Sequence, residues 1–168
     1  MSQEAVAAEL VIHAAMVETM RGYPEADVSF EYCLEHEGAL FVEVKNVRRV
    51  FSNILSNGIA AMSHRGRIAL STRTLLGGEQ AQIEFAIAND GPPIAEADIA
   101  HLFEPFFTRN KPAGTGSGLA IASRIVAAHG GRIWHATPAT GGAAFHFTLP
   151  MVPSPRAAVD GAGLPRHS

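Results

Sequence analysis

An α/β fold, with a mixed and mostly antiparallel sheet covered on one face by helices, is the class that this sequence predicts. Two observations predict it. Helix-period and strand-period segments alternate irregularly along the chain, and several strand segments are joined by short turns that make hairpins. A doubly wound parallel sheet would instead need a long crossover between each pair of strands. The 168 residues suit one domain with a single core, and 47% hydrophobic against 17% charged residues is ordinary globular composition.

Residues 4–21 have the spacing of an amphipathic helix, through Val6, Leu10, Ala14, Val17 and Met20, with Gly22 and Pro24 to end it. Val28, Phe30, Tyr32 and Leu34 alternate as a strand, and 40–44 is its expected hairpin partner across Glu35 to Gly38. From Asn46, the expected N-cap, the period turns helical through Val47, Val50, Ile54, Leu55, Ile59 and Met62. Segments 68–72 and 82–88 are strands joined at Gly77-Gly78. A short helix is expected over 96–102 and a stronger one over 117–129, closed by Gly130-Gly131. Segments 133–135 and 143–149 make a last hairpin. Beyond Pro150, proline, glycine and small residues without periodicity predict a disordered tail over 151–168, which leaves 1–150 as the domain.

The formal net charge of −3 gives no nucleic-acid surface. The single Cys33 excludes an internal disulfide and fits a reducing compartment. No apolar run approaches the roughly 20 residues of a membrane span, and the start Met1-Ser-Gln-Glu4 lacks the basic region of a signal peptide. The segment is therefore expected to be cytoplasmic and not inserted in a membrane, although a longer, membrane-anchored parent is compatible with both observations. None of the eight histidines stands in a metal-spaced pair with a carboxylate, which argues against zinc.

Chemistry concentrates in the middle of the chain. Asn53 and Asn57 are one helical turn apart, so both amides project from one face. Such a pair is ordinarily helix-surface polarity, yet apolar neighbours turn this side toward the protein, and a hard cation among phosphates accepts neutral amide oxygens. Asp90 follows the strand residues Ile83, Phe85 and Ile87 and precedes Gly91-Pro92-Pro93. An Asp-Gly turn is common in any protein; here the carboxylate could also accept a hydrogen bond from a purine amino group. Leu102-Phe103-Glu104-Pro105-Phe106-Phe107-Thr108 would be a hydrophobic staple in most chains. Gly114-Thr115-Gly116-Ser117-Gly118-Leu119 opens a helix, where free N–H groups and the positive helix end favour phosphate, and Lys111 just upstream supplies a point charge. Gly141-Gly142 is equally well explained as a hairpin turn.

Taken in order, Asn53-Ile-Leu-Ser-Asn57, Asn89-Asp-Gly-Pro-Pro-Ile94, the aromatic box at 102–108 and the glycine loop at 114–119 resemble the ATP-binding catalytic domain of sensor histidine kinases. That domain belongs to the ATPase superfamily of DNA gyrase, Hsp90 and MutL. By motif the resemblance covers residues 46–149; residues 1–45 match in order and length. It implies a two-layer α/β sandwich (the Bergerat fold) that holds ATP and Mg²⁺ between helices and a lid. It makes Asn57 the Mg²⁺ ligand, with Asn53 supporting the metal or the phosphates. Asp90 would read the adenine, Gly91 would let backbone approach it, Ile94 would pack on it, and Thr148 would contact it through water. Lys111 and the loop Gly114, Thr115, Gly116, Ser117, Gly118 and Leu119 would hold the phosphates. Asn53, Asn57 and Lys111 are the catalytic group under this reading.

The resemblance further implies a two-component system. The γ-phosphate would pass to a histidine of a dimerisation domain outside this chain, and from there to a response regulator receiver domain. His13 lacks the acidic neighbour and downstream proline of a phosphoacceptor and reads as a structural helix residue. The isolated domain is expected to lack autokinase activity. Two alternatives stand beside this reading. An anti-sigma-factor-type protein serine kinase is opposed by the aromatic box, which those relatives lack. A degenerate docking module is motivated by Ser117, where the family usually has leucine, and by Ala61, where relatives often carry an aromatic or basic residue. Pro93 replaces a glycine common in relatives and stiffens the loop.

Overall fold

The computed structural model describes residues 2–107 and 118–154. In chain order the elements are β1 Glu4–Val6, α1 Ala8–Arg21, β2 Asp27–Glu35, β3 Ala39–Val42, α2 Val44–Ala61, β4 Arg65–Leu75, β5 Gln82–Asn89, α3 Glu96–Ile99, α4 Gly118–Ala128, β6 Ile133–Ala136 and β7 Ala143–Val152. Seven strands form one sheet in the order β1-β3-β7-β5-β4-β2, with β6 also paired to β7. Every pairing is antiparallel except β2 with β4. The mixed, mostly antiparallel sheet agrees with the expected class.

Strand alternation decides which face is covered. Ile83, Phe85, Ile87 and Asn89 of β5 are buried at every second position, as are Ile68, Leu70 and Thr72 of β4. Helix α2 lies over this face between α1 and α4. Its Phe51 ring stands edge-on to Phe85 at 5.1 Å and to Phe147 at 5.2 Å, while Phe85 and Phe147, cross-strand partners, stack at 5.0 Å. All three side chains are fully buried, and ring pairs in these geometries contribute about 0.5–1.5 kcal/mol each beyond their area.

Four local expectations are corrected. Residues 4–6 are a strand, not the first turn of a helix: Ala7 is extended (φ −65°, ψ 131°), and Val6 pairs with Leu40. β3 is not the hairpin partner of β2; it lies between β1 and β7. Leu40 pairs with Val6 of β1 on one side and with Met151 of β7 on the other, and both Leu40 and Val42 are completely buried in the core. β2 instead runs parallel to β4, because the intervening α2 supplies the crossover. Asn46 is not the N-cap: α2 starts at Val44 after Glu43, and Asn46 donates from its first turn to Glu43 Oε1 at 2.6 Å. At the far end, β7 runs on through Met151 and Val152, which pair with Leu40 and Ala39. The rest of the expected tail, from residue 155, lies outside the described residues.

Candidate nucleotide-binding site

The site is built first from two helices pinned together at two points. At one end, the His129 ring donates from Nδ1 to the Ile125 carbonyl at 2.8 Å, so Nε2 is the acceptor for the Glu43 N–H at 3.1 Å. That pair of bonds selects one neutral tautomer and ties the C-terminal end of α4 to the start of α2. At the other end, Asn53 Nδ2 donates to the Gly118 carbonyl at 3.0 Å. The N-terminal end of α4 is thereby held against the asparagine face of α2, with Leu119 buried beside it. Helix α4 is described from Gly118, and an α-helix carries a positive N-terminal end.

The second part is the turn after β5. The inward row Ile83, Phe85, Ile87 ends on a polar residue, Asn89, which is 6% exposed. Its Oδ1 accepts from the Gly91 N–H at 3.0 Å and so fixes the turn around Asp90. Asp90 itself is exposed. Its Oδ1 accepts from the Arg67 N–H at 3.0 Å, and its own N–H donates to the Arg67 carbonyl at 3.2 Å. Three glycines crowd this turn. A β-carbon at Gly66 would collide with Asp90 Oδ1 and Met62 Sδ, and one at Gly142 would collide with the Asn89 carbonyl. One at Gly91 would lie 3.0 Å from Asn89 Oδ1 and 3.1 Å from the Ala61 carbonyl. The Asp90 carboxylate is thus braced by the Arg67 N–H and packed where a β-carbon at Gly66 would sit, while the residue stays exposed.

Helix α2 joins the two parts. Gly58, the residue after Asn57, is buried with its Cα turned to the Asn89 side chain, and Ala61 lies under Gly91. Asn57 is half-buried between them. The structure therefore brings Asn53, Asn57, Asp90, Gly91, Gly118 and Leu119 onto one end of the helix-covered face. Ile94 packs on the core beside them, and Phe103 stands edge-on to Phe145 at 6.2 Å. Lys111, Gly114, Thr115, Gly116 and Ser117 lie outside the described residues.

Thr148 is not brought to this end. It sits five residues along β7 from Ala143, the partner of Asn89, which is roughly 17 Å at about 3.4 Å per residue. Its hydroxyl accepts from the Arg132 N–H at 3.0 Å. Sequence reasoning missed Asn89, Gly66 and Gly58. Asn89 had a signal, since it is the one polar residue in an inward row. Gly66 had none, because its contact comes from a strand that is distant in sequence. Two grooves beside α4 lie elsewhere: about 420 Å³ next to Trp134 of β6, and about 370 Å³ between Arg49 of α2 and Arg124 of α4.

The donor set fits a nucleotide with a hard cation. Among the described residues no group of three or more His, Cys, Asp and Glu side chains could hold a metal; the amide oxygens of Asn53 and Asn57 are neutral donors of the kind that a hard cation accepts. The glycine crowding leaves backbone, rather than side chain, lining the Asp90 turn.

Residues 42–153 match the family model described as histidine kinase-, DNA gyrase B- and HSP90-like ATPase. The chain belongs to this ATPase family. Among curated relatives, it is 33% identical over 132 residues to the sensor protein FixL of Bradyrhizobium diazoefficiens, covering 78% of this chain and 26% of that protein. It is 32% identical over 118 residues to the adaptive-response sensory kinase SasA of Nostoc sp., covering 68% of this chain and 29% of that protein. The chain thus spans between a quarter and a third of the length of these relatives. Among solved structures, the catalytic domain of histidine kinase ThkA superposes with a TM-score of 0.78 at 26% identity, covering 90% of this chain and 97% of that one. The mycobacterial sensor histidine kinase MprB superposes with a TM-score of 0.70 at 29% identity, covering 89% and 99%. Within the ATPase family, this chain is a histidine kinase catalytic ATP-binding domain.

Proposed function

We propose that this domain binds Mg·ATP at the end of the sheet marked by Asp90 and presents its γ-phosphate to a histidine of a dimerisation domain that this chain does not contain. The observation that carries the reading is the exposed Asp90 carboxylate, braced through Oδ1 by the Arg67 N–H beside a turn lined by glycine. ATP supplies the phosphoryl group, and Mg²⁺ neutralises its charge. Asp90 accepts a hydrogen bond from the adenine amino group; Gly91 lets the base lie against backbone, and Ile94 packs on its face. Asn57 offers its amide oxygen to the cation. Asn53 holds α4 in place through Gly118, so that the helix N-terminus faces the phosphates. Lys111 and the loop 114–119 complete the phosphate site. Positioning and charge neutralisation supply most of the catalysis, as in other phosphoryl transfers. Thr148 is left out of the site, because β7 carries it to the other end of the strand from the Asp90 turn.

The partners under this reading are the histidine-bearing dimerisation domain and a response regulator; ThkA, for one, has been solved with the response regulator protein TrrA. Action in the cytoplasm is part of this proposal; no helix among the described residues is long and apolar enough to cross a membrane. Calorimetry of ATP and ADP with and without Mg²⁺ tests the site. Wild type is expected to bind both nucleotides, Asp90→Ala to lose binding, and Asn57→Ala to lose the Mg²⁺ dependence. A folded wild-type domain that binds neither nucleotide would refute the proposal and favour a docking module.

A further inference from the structure

β2 closes the sheet on the side away from β7. It is nine residues long and pairs with β4 along its whole length, from Asp27 opposite Arg65 to Glu35 opposite Arg73. Among the described residues no strand pairs with its other edge. Natural edges of this length are usually blunted by proline, bulges or charged side chains, especially lysine; β2 contains no proline, no glycine and no lysine, and its charges, Asp27, Glu31 and Glu35, are all acidic.

Two different rows stand on this edge. Toward the helices, Val28, Phe30 and Leu34 are half-buried and Tyr32 is 47% exposed. Phe30 and Tyr32 stack at 6.5 Å, and the Tyr32 hydroxyl reaches Met16 Sδ of α1 at 2.7 Å. Toward the open face stand Asp27, Glu31 and Glu35, at every fourth residue and with no cation among them. The charged rows alternate in sign across the open face. Glu84 of β5 bonds Arg73 of β4 at 3.1 Å, Arg73 is opposite Glu35 of β2, and Arg67 of β4 bonds Glu31 of β2 at 2.9 Å. Among the described residues, the acidic row of β2 has its basic strand neighbours on the β4 side, and no strand lies on its other side.

We propose that the β2 edge receives an extended segment of a partner protein in which apolar residues alternate with lysine or arginine, added to the sheet as a further strand. Its backbone would continue the ladder, its apolar residues would lie beside Phe30 and Tyr32, and its cations would lie beside Asp27, Glu31 and Glu35. A second copy of this chain does not fit. Antiparallel pairing of two β2 strands keeps odd residues opposite odd residues, which places both acidic rows on one face, and like charges on adjacent strands are destabilising.

The test is an NMR titration of the isotope-labelled domain without nucleotide, so its outcome is independent of ATP binding. The probe is a synthetic peptide of alternating valine and lysine, matched to the nine residues of β2. Two comparison peptides carry glutamate in place of lysine, or methyl groups on every backbone nitrogen. The lysine peptide is expected to shift β2 amide resonances and slow their hydrogen exchange, and the other two to leave them unchanged. Glu31→Gln with Glu35→Gln is expected to weaken the lysine peptide by about fivefold, with unchanged amide spectra elsewhere. The proposal is overturned if the lysine peptide leaves β2 unmoved, if either comparison peptide binds as well, if the double variant binds undiminished, or if the domain alone dimerises through β2.

Discussion

The Asn53 side-chain amide lies 3.0 Å from the Gly118 carbonyl oxygen, so the middle of α2 and the first residue of α4 share a hydrogen bond across 65 residues of sequence. This bond, with the His129–Glu43 bond at the opposite end, fixes how α4 lies against α2. Asn53→Asp keeps the shape and removes the donor, placing a carboxylate against a carbonyl. The expected cost is about 1–3 kcal/mol, read as a lower urea midpoint, together with weaker nucleotide binding. A variant as stable as wild type would show that the bond does not hold α4.

Asp90→Asn separates reading the base from building the turn. An amide oxygen still accepts the Arg67 N–H, so the fold should survive, with an unchanged circular dichroism spectrum. Loss of the charged acceptor should weaken ATP by about tenfold or more. Equal affinity in calorimetry would remove Asp90 from the site.

Gly141 and Gly142 both have positive φ, 96° and 80°, but differ in their surroundings. A β-carbon at Gly141 meets nothing, whereas one at Gly142 meets the Asn89 carbonyl. Gly141→Ala should therefore cost only the backbone strain, about 1–2 kcal/mol. Gly142→Ala adds a clash under the Asp90 turn and should cost clearly more. Urea unfolding of the two variants checks the order, and nucleotide affinity should fall only for Gly142→Ala.

Acid should destabilise the domain in two stages. Burial, with the nearby His146 charge, lowers the His135 pKa below its ordinary 6.5. The unfolded chain then takes up that proton first, so stability is complete above about pH 6.5 and declines as pH falls toward the folded value. For Glu84, burial alone would raise the pKa, but hydrogen bonds and charges from Arg73 and His146 outweigh it and lower it below 4.5. Its contribution is present above about pH 4.5 and is lost as pH falls through the folded value. Urea midpoints from about pH 8 to about pH 2.5 should show both stages. His135→Leu should flatten the upper one and Glu84→Gln the lower.

Much of the site is local and therefore legible in sequence. Asn53 and Asn57 share a helix face because their spacing matches one turn, and α4 runs to Ala128, one residue short of the expected end at 129. The turn at Asp90 is encoded by its own neighbours, Asn89 and Gly91. Thr148 was drawn toward the nucleotide by resemblance alone. Its position is set instead by β7 pairing with β5, which carries it to the other end of the strand. Residues 4–6 show the same limit: Val6 fits a helical period, and only its pairing with Leu40 makes it a strand.

The sequence by itself determined most element types, the inward row of β5 and the order of the nucleotide motifs, because these depend on side-chain period and on neighbours a few residues apart. Only the tertiary structure decided that β3 leaves β2 for β1 and β7, that β2 runs parallel to β4, and that Gly66 and Gly142 close around Asn89 and Asp90. Strand pairing and close backbone approach join residues far apart in the chain. Alternation fixes which face a side chain takes, but it carries no information about which strand lies alongside.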